Sequence, residues 1–360
     1  MSSAGPRTRL VVLYGGQSAE HDVSRISAAG VLRAVDPDRY DVDPIAITRD
    51  GHWIRSTATV AALAEGPQAI PASLDVTGTE VSPQLDLVPS SSGQPVVVLP
   101  ILHGPRGEDG AVQGLLELAD VAYVGCGVLG SAVNMDKGVE KVLAAAAGIP
   151  VVPHLTLRDQ EIDDALVARI ETDLGWPVFV KPANMGSSVG VGRADSAETL
   201  RAALDEAARY DEWIVVEQGI TARELEVGVL GYHDLKTSVV GEIVPTHEFY
   251  DYDDKYVDGA AEMIIPAVIP DDVAAQAREL ALRAFTVLRC DGLARVDFFY
   301  EEEGRGLLFN EINTLPGFTP FSMFPSLWSA SGLGYGELID ELVELALQRH
   351  EHRARFRDPR

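Results

Sequence analysis

Near the carboxyl end, the run GLLFNEINTLPGFTPFS, residues 306–322, sets Glu311 and Asn313 two residues apart on an apolar strand that stops at Pro316-Gly317. Strand side chains alternate between faces, so this carboxylate and this carboxamide point the same way. A pair of hard oxygens of this kind suits Mg²⁺. An isolated E-x-N reads as a solvated strand edge, but the preceding run, LARVDFFY, changes the balance. There Arg295, Asp297 and Phe299 share one face, and Val296, Phe298 and Tyr300 share the other. EEEGRG between the two runs is a turn with two glycines, so an antiparallel hairpin is expected. With its centre at Gly304, Asp297 sits opposite Glu311, and one face carries Arg295, Asp297, Glu311 and Asn313. Such a cluster is costly to bury without a cation. A divalent ion relieves it and leaves Arg295 to meet an anionic substrate.

Divalent ions held by carboxylates often accompany a nucleoside triphosphate, which calls for a phosphate cradle. VFVKPANMGSSVGVG, residues 178–192, supplies one: Lys181 at a strand end, then Gly186, Ser187, Ser188, Val189 and Gly190. Such a loop aims backbone N–H groups and two hydroxyls at an anion. It is neither a Walker A motif nor G-x-G-x-x-G. Only five of the 29 basic residues are lysines: Lys137, Lys141, Lys181, Lys236 and Lys255. Where arginine serves nearly everywhere else, a retained lysine points to a place that needs a compact ammonium. Lys137, in NMDKG, offers a second cation at a helix start. VVEQGI, from Glu217 onward, reads as a strand end turning into a linker, a place for adenine, and Glu224, seven residues later, could take the ribose hydroxyls, although isolated glutamates are more often surface residues. THEFYDYDDKYVDGA, residues 246–260, reads as a long lid loop whose Lys255 and Tyr256 could reach a phosphate and a substrate.

The elements that must position these residues alternate strand and helix. A strand at 9–14, the turn Gly15-Gly16 and a helix starting near Ser18 or His21 open the chain. Residues 65–95, rich in Pro, Ser, Gly and Gln, read as loop. PVVVLPIL is a buried strand that runs into the glycine loop HGPRGEDG and a further helix. A parallel α/β domain over 1–125 follows. VNMDKGVEKVLAAAAG reads as one helix, and SAETLRAALDEAARY as a helix with a capping box at Ser196 and Glu198 or Thr199. They belong to a second unit, 126–217, and a third, 218–350, holds the lid and the hairpin. A charged tail, 351–360, is expected to fray from His350 onward. The 360 residues suit two or three domains, and 46% hydrophobic content suits a globular chain. A net charge of −26 argues against nucleic acid or an anionic membrane as the main partner. With two cysteines, no h-region and no long apolar run, the expectation is a soluble cytoplasmic protein.

Taken in order, GGQSAEHDVS, LHGPRGEDGAVQGLLEL, YVGCGVLGSAVNMDK, VKPANMGSSVGV, FYDYDDKY, RVDFF and NEINTLPGFTPFS resemble the D-alanine–D-alanine ligase family of the ATP-grasp superfamily, from Leu10 to about Gln348. The resemblance implies a three-domain α/β and α+β architecture with ATP between two antiparallel sheets. It implies two Mg²⁺ ions, which Mn²⁺ can replace, D-alanine as substrate, a homodimer, and a place in peptidoglycan precursor synthesis. It also implies roles. Glu20 takes the ammonium of the first D-alanine, linked by hydrogen bonds to Ser187 and Tyr256, with His103 nearby. Lys137 and Lys181, with the loop of Ser187 and Ser188, hold the α- and β-phosphates, and Lys255 meets the γ-phosphate. Glu217 and Glu224 read adenine and ribose. Asp297, Glu311 and Asn313 bind the metals. Arg295 and the Gly317 N–H stabilise an oxyanion, and Ser322 and the backbone of Met323 receive the second carboxylate. Relatives that use D-lactate typically carry histidine where this chain has Tyr256, so the tyrosine favours a D-amino acid. D-lactate or D-serine as second substrate, and a non-catalytic nucleotide-binding regulator on this fold, are the alternatives. A dinucleotide-dependent oxidoreductase rests on VVLYGG alone and lacks the full glycine fingerprint.

Overall fold

The computed structural model describes residues 7–87, 93–244 and 262–356. The expected lid, 246–260, with Lys255 and Tyr256, lies outside the described residues. Three sheets organise the chain. The first is built from β1 (Thr8–Gly15), α1 (His21–Ala34), β2 (Tyr40–Ile47), β3 (Trp53–Ser56), α2 (Thr57–Glu65), β4 (Gly78–Glu80), α3 (Pro83–Asp86), β5 (Val96–Ile101), α4 (Ala111–Leu118) and β6 (Ala122–Tyr123). Its strand order is β4-β3-β2-β1-β5-β6. β1 runs parallel to β2 and β5, whereas β3 and β4 pair antiparallel at one edge. The sheet is therefore mixed rather than purely parallel. The stretch expected to be loop, 65–95, contains β4 and α3. Every residue of β4 is exposed, so no apolar alternation marked it. Its strand state comes from main-chain pairing with β3.

Two helices follow, α5 (Val128–Met135) and α6 (Lys137–Ala146), where one was expected. Asp136 separates them in an extended conformation, and its carboxylate accepts the N–H groups of Gly138 and Val139, both at 3.0 Å. An aspartate placed to cap competes with helix continuation. Lys137 thus becomes the first residue of a new helix.

The second sheet comprises β7 (His154–Arg158), β8 (Val178–Pro182), β9 (Gly192–Ala194) and β10 (Trp213–Gln218), in the order β7-β10-β8-β9, covered by α7 (Asp164–Leu174) and α8 (Ala197–Ala207). The capping box resolves to Ser196 and Thr199, whose hydroxyls accept each other's N–H groups. The third sheet has β11 (Arg223–Gly231), β12 (Lys236–Val244), β13 (Glu262–Ile264), β14 (Gly292–Glu301) and β15 (Gly306–Asn313), in the order β13-β12-β11-β14-β15. Both of these sheets are antiparallel. Helix α9 (Asp271–Val287) packs on the third sheet, and its core also takes in Cys126, Ala144 and Ile149.

The chain closes with α10 (Met323–Ala330) and α11 (Tyr335–Ala354). Leu338, Ile339, Leu342, Val343 and Ala346 of α11 share one core with Leu10, Val12 and Tyr14 of β1. The last helix therefore seals the first sheet. It does not fray at His350. The buried Arg349 lies 4.2 Å above the Tyr123 ring and donates to the carbonyls of Tyr123 and Gly125, and Arg353 pairs with Glu117 at 2.6 Å. No helix among the described residues is long and apolar enough to cross a membrane.

Truncating Leu342, fully packed between α11 and the first sheet, should cost about 2–5 kcal/mol. Leu342→Ala should lower the urea midpoint by that free energy divided by the m-value. An unchanged midpoint would show that α11 does not hold the sheet.

Candidate active site

The hairpin forms as its turn predicts. Asp297 pairs with Glu311 and Arg295 with Asn313. The register shifts between Asp297 and Phe298, because Phe309 opposes Phe298 and Asn310 is left over as a bulge. That extra residue brings the two carboxylates opposite each other. Asp297 also pairs with Glu226 on β11, so three acidic side chains lie in one row across three strands. Arg295 neutralises part of the row. Its Nε and Nη2 fork onto Asp297 at 2.8 and 2.6 Å, and Nε lies 2.9 Å from Glu226. Burial opposes its charge, but Asp297 and Glu226 outweigh burial and hold the guanidinium well above its ordinary range. Lys137 approaches Glu311 at 3.4 Å and donates to the Met185 carbonyl at 2.9 Å. Burial opposes its charge too, and Glu311 and Glu140 raise its pKa regardless.

Glu20 comes from the other end of the chain. It occupies the N-cap position of α1, yet its side chain caps nothing. It accepts instead a 2.6 Å hydrogen bond from the Ser187 hydroxyl, 167 residues away. Ser187 and Ser188 adopt φ of 49° and 58°, a conformation rare for side-chain-bearing residues. This strain turns the loop toward Glu20 and fits the habit of strained backbone at functional sites. His103, at the end of β5, donates from Nδ1 to the Leu315 carbonyl at 3.0 Å, and its Nε2 finds no partner among the described residues.

These groups line one cleft of about 630 Å³. Among the sequence candidates, Glu20, His103, Lys137, Ser187, Arg295, Glu311, Asn313, Gly317, Ser322 and Met323 border it. Asp297 sits beneath Arg295. Asn313 Oδ1 accepts from the Leu315 N–H at 3.1 Å and fixes the turn toward Gly317. Ser322 occupies the N-cap position of α10 without capping it through its side chain, and its hydroxyl instead accepts the Thr319 N–H at 3.1 Å. The other described nucleotide candidates do not border the cleft. Lys181 and Glu217 pair at 2.8 Å, while Glu224 and Ser188 stand away from the cleft wall. The Glu217 carboxylate is bracketed by Lys181 and, at 3.1 Å, by Lys141.

Four residues of the site carried no assignment in the sequence. Glu108 accepts the Gly104 N–H at 2.7 Å beside Glu20. Burial, then the charge of Glu20, push its carboxyl up to about 8. Its signal was the glycine loop HGPRGEDG. Glu226 follows Glu224 by two residues on the same strand face. Lys141 was visible as a retained lysine without a role. Glu140 gave no signal, since a glutamate in a helix is ordinary.

The donor set fits hard divalent ions: two carboxylates and a carboxamide on one strand face, flanked by cations that phosphate oxygens would share. Among the described residues, no three His, Cys, Asp or Glu side chains form a complete metal cage. Mg²⁺ characteristically takes one or two carboxylates and completes its shell with phosphate oxygens and water.

Two family models cover most of the chain: D-ala D-ala ligase N-terminus over residues 9–126 and D-ala D-ala ligase C-terminus over 143–344. The chain belongs to the D-alanine–D-alanine ligase family. It is 49% identical to the D-alanine–D-alanine ligase of Paenarthrobacter aurescens, over 95% of this chain and 96% of that one. It is 46% identical to that of Geobacillus thermodenitrificans, over 96% and 97%. Among solved structures it resembles the D-alanine–D-alanine ligase of Coxiella burnetii with a TM-score of 0.83 and 34% identity, covering 98% of this chain and 97% of that one. It resembles a D-Ala:D-Ser ligase of Enterococcus faecalis with a TM-score of 0.79 and 32% identity, covering 94% and 99%. The family and the ATP-grasp architecture agree with the sequence resemblance.

Two titrations probe the site without ligand. Burial opposes ionisation of Glu217, but Lys141 and Lys181 hold its carboxyl down at about 2. A depressed carboxylate stabilises the fold above its ordinary value of 4.5, and that stability drains away as pH falls toward 2. Glu217→Gln should therefore cost roughly 3 kcal/mol at pH 7, with the gap to the parent closing below about pH 4.5. Glu108 has the opposite sign: its raised value means that ionising it costs stability as pH climbs from 4.5 toward 8. Glu108→Gln should gain on the parent in melting temperature as pH rises from about 4.5 to 8 and level off above that, and a constant difference would contradict the buried-acid environment.

Proposed function

We propose that this enzyme joins two D-alanine molecules to D-alanyl-D-alanine at the expense of ATP, through an acylphosphate, for peptidoglycan precursor synthesis. The observation that carries the reading is the convergence, in one cleft, of the Ser187-bound Glu20 with the Arg295–Asp297–Glu311–Asn313 face. A carboxylate is a poor acyl donor, so phosphorylation must precede attack by the second amine. Glu20, oriented by Ser187, offers the anionic partner that an amino acid's ammonium needs. His103, with Nδ1–H committed to Leu315, presents Nε2 near the same place. Lys137 and Lys181 stand where α- and β-phosphates would lie against the strained serine loop. Asp297, Glu311 and Asn313 would hold Mg²⁺, which when bound offsets charge on the transferring phosphoryl group.

Arg295 has five donors, more than its contacts with Asp297 and Glu226 use. Together with the Gly317 N–H, which borders the cleft, it would stabilise the oxyanion formed when the amine attacks. One such donor is typically worth about 3–4 kcal/mol. Ser322 and the Met323 N–H, at the start of α10, would receive the second substrate's carboxylate, where the helix dipole favours an anion. Lys255 and Tyr256 belong to the lid in this reading, which would exclude water from the acylphosphate.

The deciding assay is phosphate release from Mg²⁺-ATP with D-alanine alone, then with added D-lactate or D-serine, with products weighed by mass spectrometry. D-alanyl-D-alanine from D-alanine alone is expected. A product that requires the second compound would move the specificity, and no turnover would favour a regulator. Asp297→Asn should raise the Mg²⁺ concentration for half-maximal rate at least tenfold while D-alanine KM changes little, and an unchanged Mg²⁺ requirement would remove Asp297 from the metal set.

A further inference from the structure

β15 ends its sheet: β14 pairs with it on one side, and on the other a parallel bridge to Val151 takes up Phe309, whose N–H donates to the Pro150 carbonyl at 2.7 Å. Edge strands leave backbone donors and acceptors that must find other partners. Around Glu311 those partners are side chains of α6. Lys141 Nζ donates to the carbonyl of the bulged Asn310, and Glu140 Oε2 accepts the Ile312 N–H at 3.2 Å. These contacts grip the main chain one residue before and one residue after Glu311. One turn earlier on the same helix, Lys137 reaches the Glu311 carboxylate itself. α6 therefore holds Glu311 by its carboxylate and holds the main chain of both its neighbours.

Lys141 does more than grip the bulge. It is 1% exposed, and its ammonium lies 3.1 Å from Glu217 and 6.0 Å from the centre of the Phe309 ring. The Glu217 carboxylate in turn holds Lys181. One continuous line, Lys181–Glu217–Lys141–Asn310, ties the phosphate lysine of the second sheet to the strand of the third sheet that bears Glu311 and Asn313. Glu140 is 0% exposed, and its Oε1 finds no partner among the described residues. A buried ion pair is a poor source of stability, since hydrophobic residues of similar volume often serve as well or better. Its best-attested use is to fix one arrangement among several, which is what a bulged edge strand needs.

We propose that Glu140 and Lys141 are positioning residues: they lock the β15 bulge so that Glu311 and Asn313 sit at a fixed distance from the Lys181–Glu217 pair. The inference rests on the reading that Glu311 and Asn313 meet the nucleotide's divalent ions. Partners behind metal ligands typically change metal affinity by about 10–100-fold when removed. Residues that merely fill the core would change stability and leave metal affinity alone.

The test uses the full-length enzyme with Mn²⁺ as probe and the β,γ-imido analogue of ATP, free Mn²⁺ being followed by electron paramagnetic resonance. Hydrogen exchange of the 310–313 backbone and D-alanine KM are measured on the same proteins. Lys141→Met and Glu140→Leu should weaken Mn²⁺ binding about tenfold and speed exchange at Ile312, with D-alanine KM within about twofold of wild type. Glu140→Gln keeps an acceptor for the Ile312 N–H and should stay within about threefold for Mn²⁺. If Lys141→Met or Glu140→Leu does not fold, Glu140→Asp, one methylene too short to reach Ile312, should show the same weakening. Wild-type Mn²⁺ affinity in a folded Glu140→Leu or Glu140→Asp would overturn the proposal. Absence of Mn²⁺ binding by the wild-type enzyme would instead overturn the metal reading, and this inference with it.

Discussion

Asp297 and Glu311 face each other across β14 and β15, with Glu226 next in the row. Like charges directly opposite in a sheet repel, and much of the surrounding structure answers that repulsion. Arg295 forks onto Asp297 and touches Glu226, and Lys137 approaches Glu311 from a helix that begins one residue after the cap at Asp136. The chain carries a net charge of −26, so cations for this row cannot come from a generally basic surface. They are placed singly, which is why the few lysines matter out of proportion to their number.

The three sheets contribute unequally to this centre. The third supplies the acidic row and Arg295, and the second supplies Lys181 and the serine loop. The first supplies Glu20 and His103 from the carboxyl ends of parallel strands, where α/β sheets characteristically present their functional loops. Contacts over long sequence separations join them. Ser187 holds Glu20, His103 holds the Leu315 carbonyl, and α11 packs beneath β1. The site exists only when all three units are docked, so much of the geometry is bought by packing far from the chemistry.

Glu108 beside Glu20, and Glu217 between two lysines, show how one chain sets two buried glutamates in opposite states. Burial, then the charge of Glu20, push Glu108 up to about 8, while Lys141 and Lys181 overcome the burial of Glu217 and hold it near 2. Neither difference can be read from the residue itself, because it depends on which charges the fold brings near.

The sequence by itself determined everything local. The two-residue period of LARVDFFY and LLFNEIN, with the two-glycine turn between them, pointed to the hairpin, but the bulge at Asn310 was needed to put Glu311 and Asn313 on the face of Arg295 and Asp297. The scarcity of lysine marked Lys137 and Lys181 for the site, and the ordered motifs carried the family. What the tertiary structure decided was non-local. β4 has no side-chain pattern and exists through its pairing with β3. The tail helix continues past His350 because Arg349 and Arg353 find partners on the first domain. The bulge at Asn310, and the grip of Glu140 and Lys141 on it, depend on a helix some 170 residues earlier meeting an open strand edge. Periodicity records which face a residue shares with its neighbours; only packing determines what that face meets.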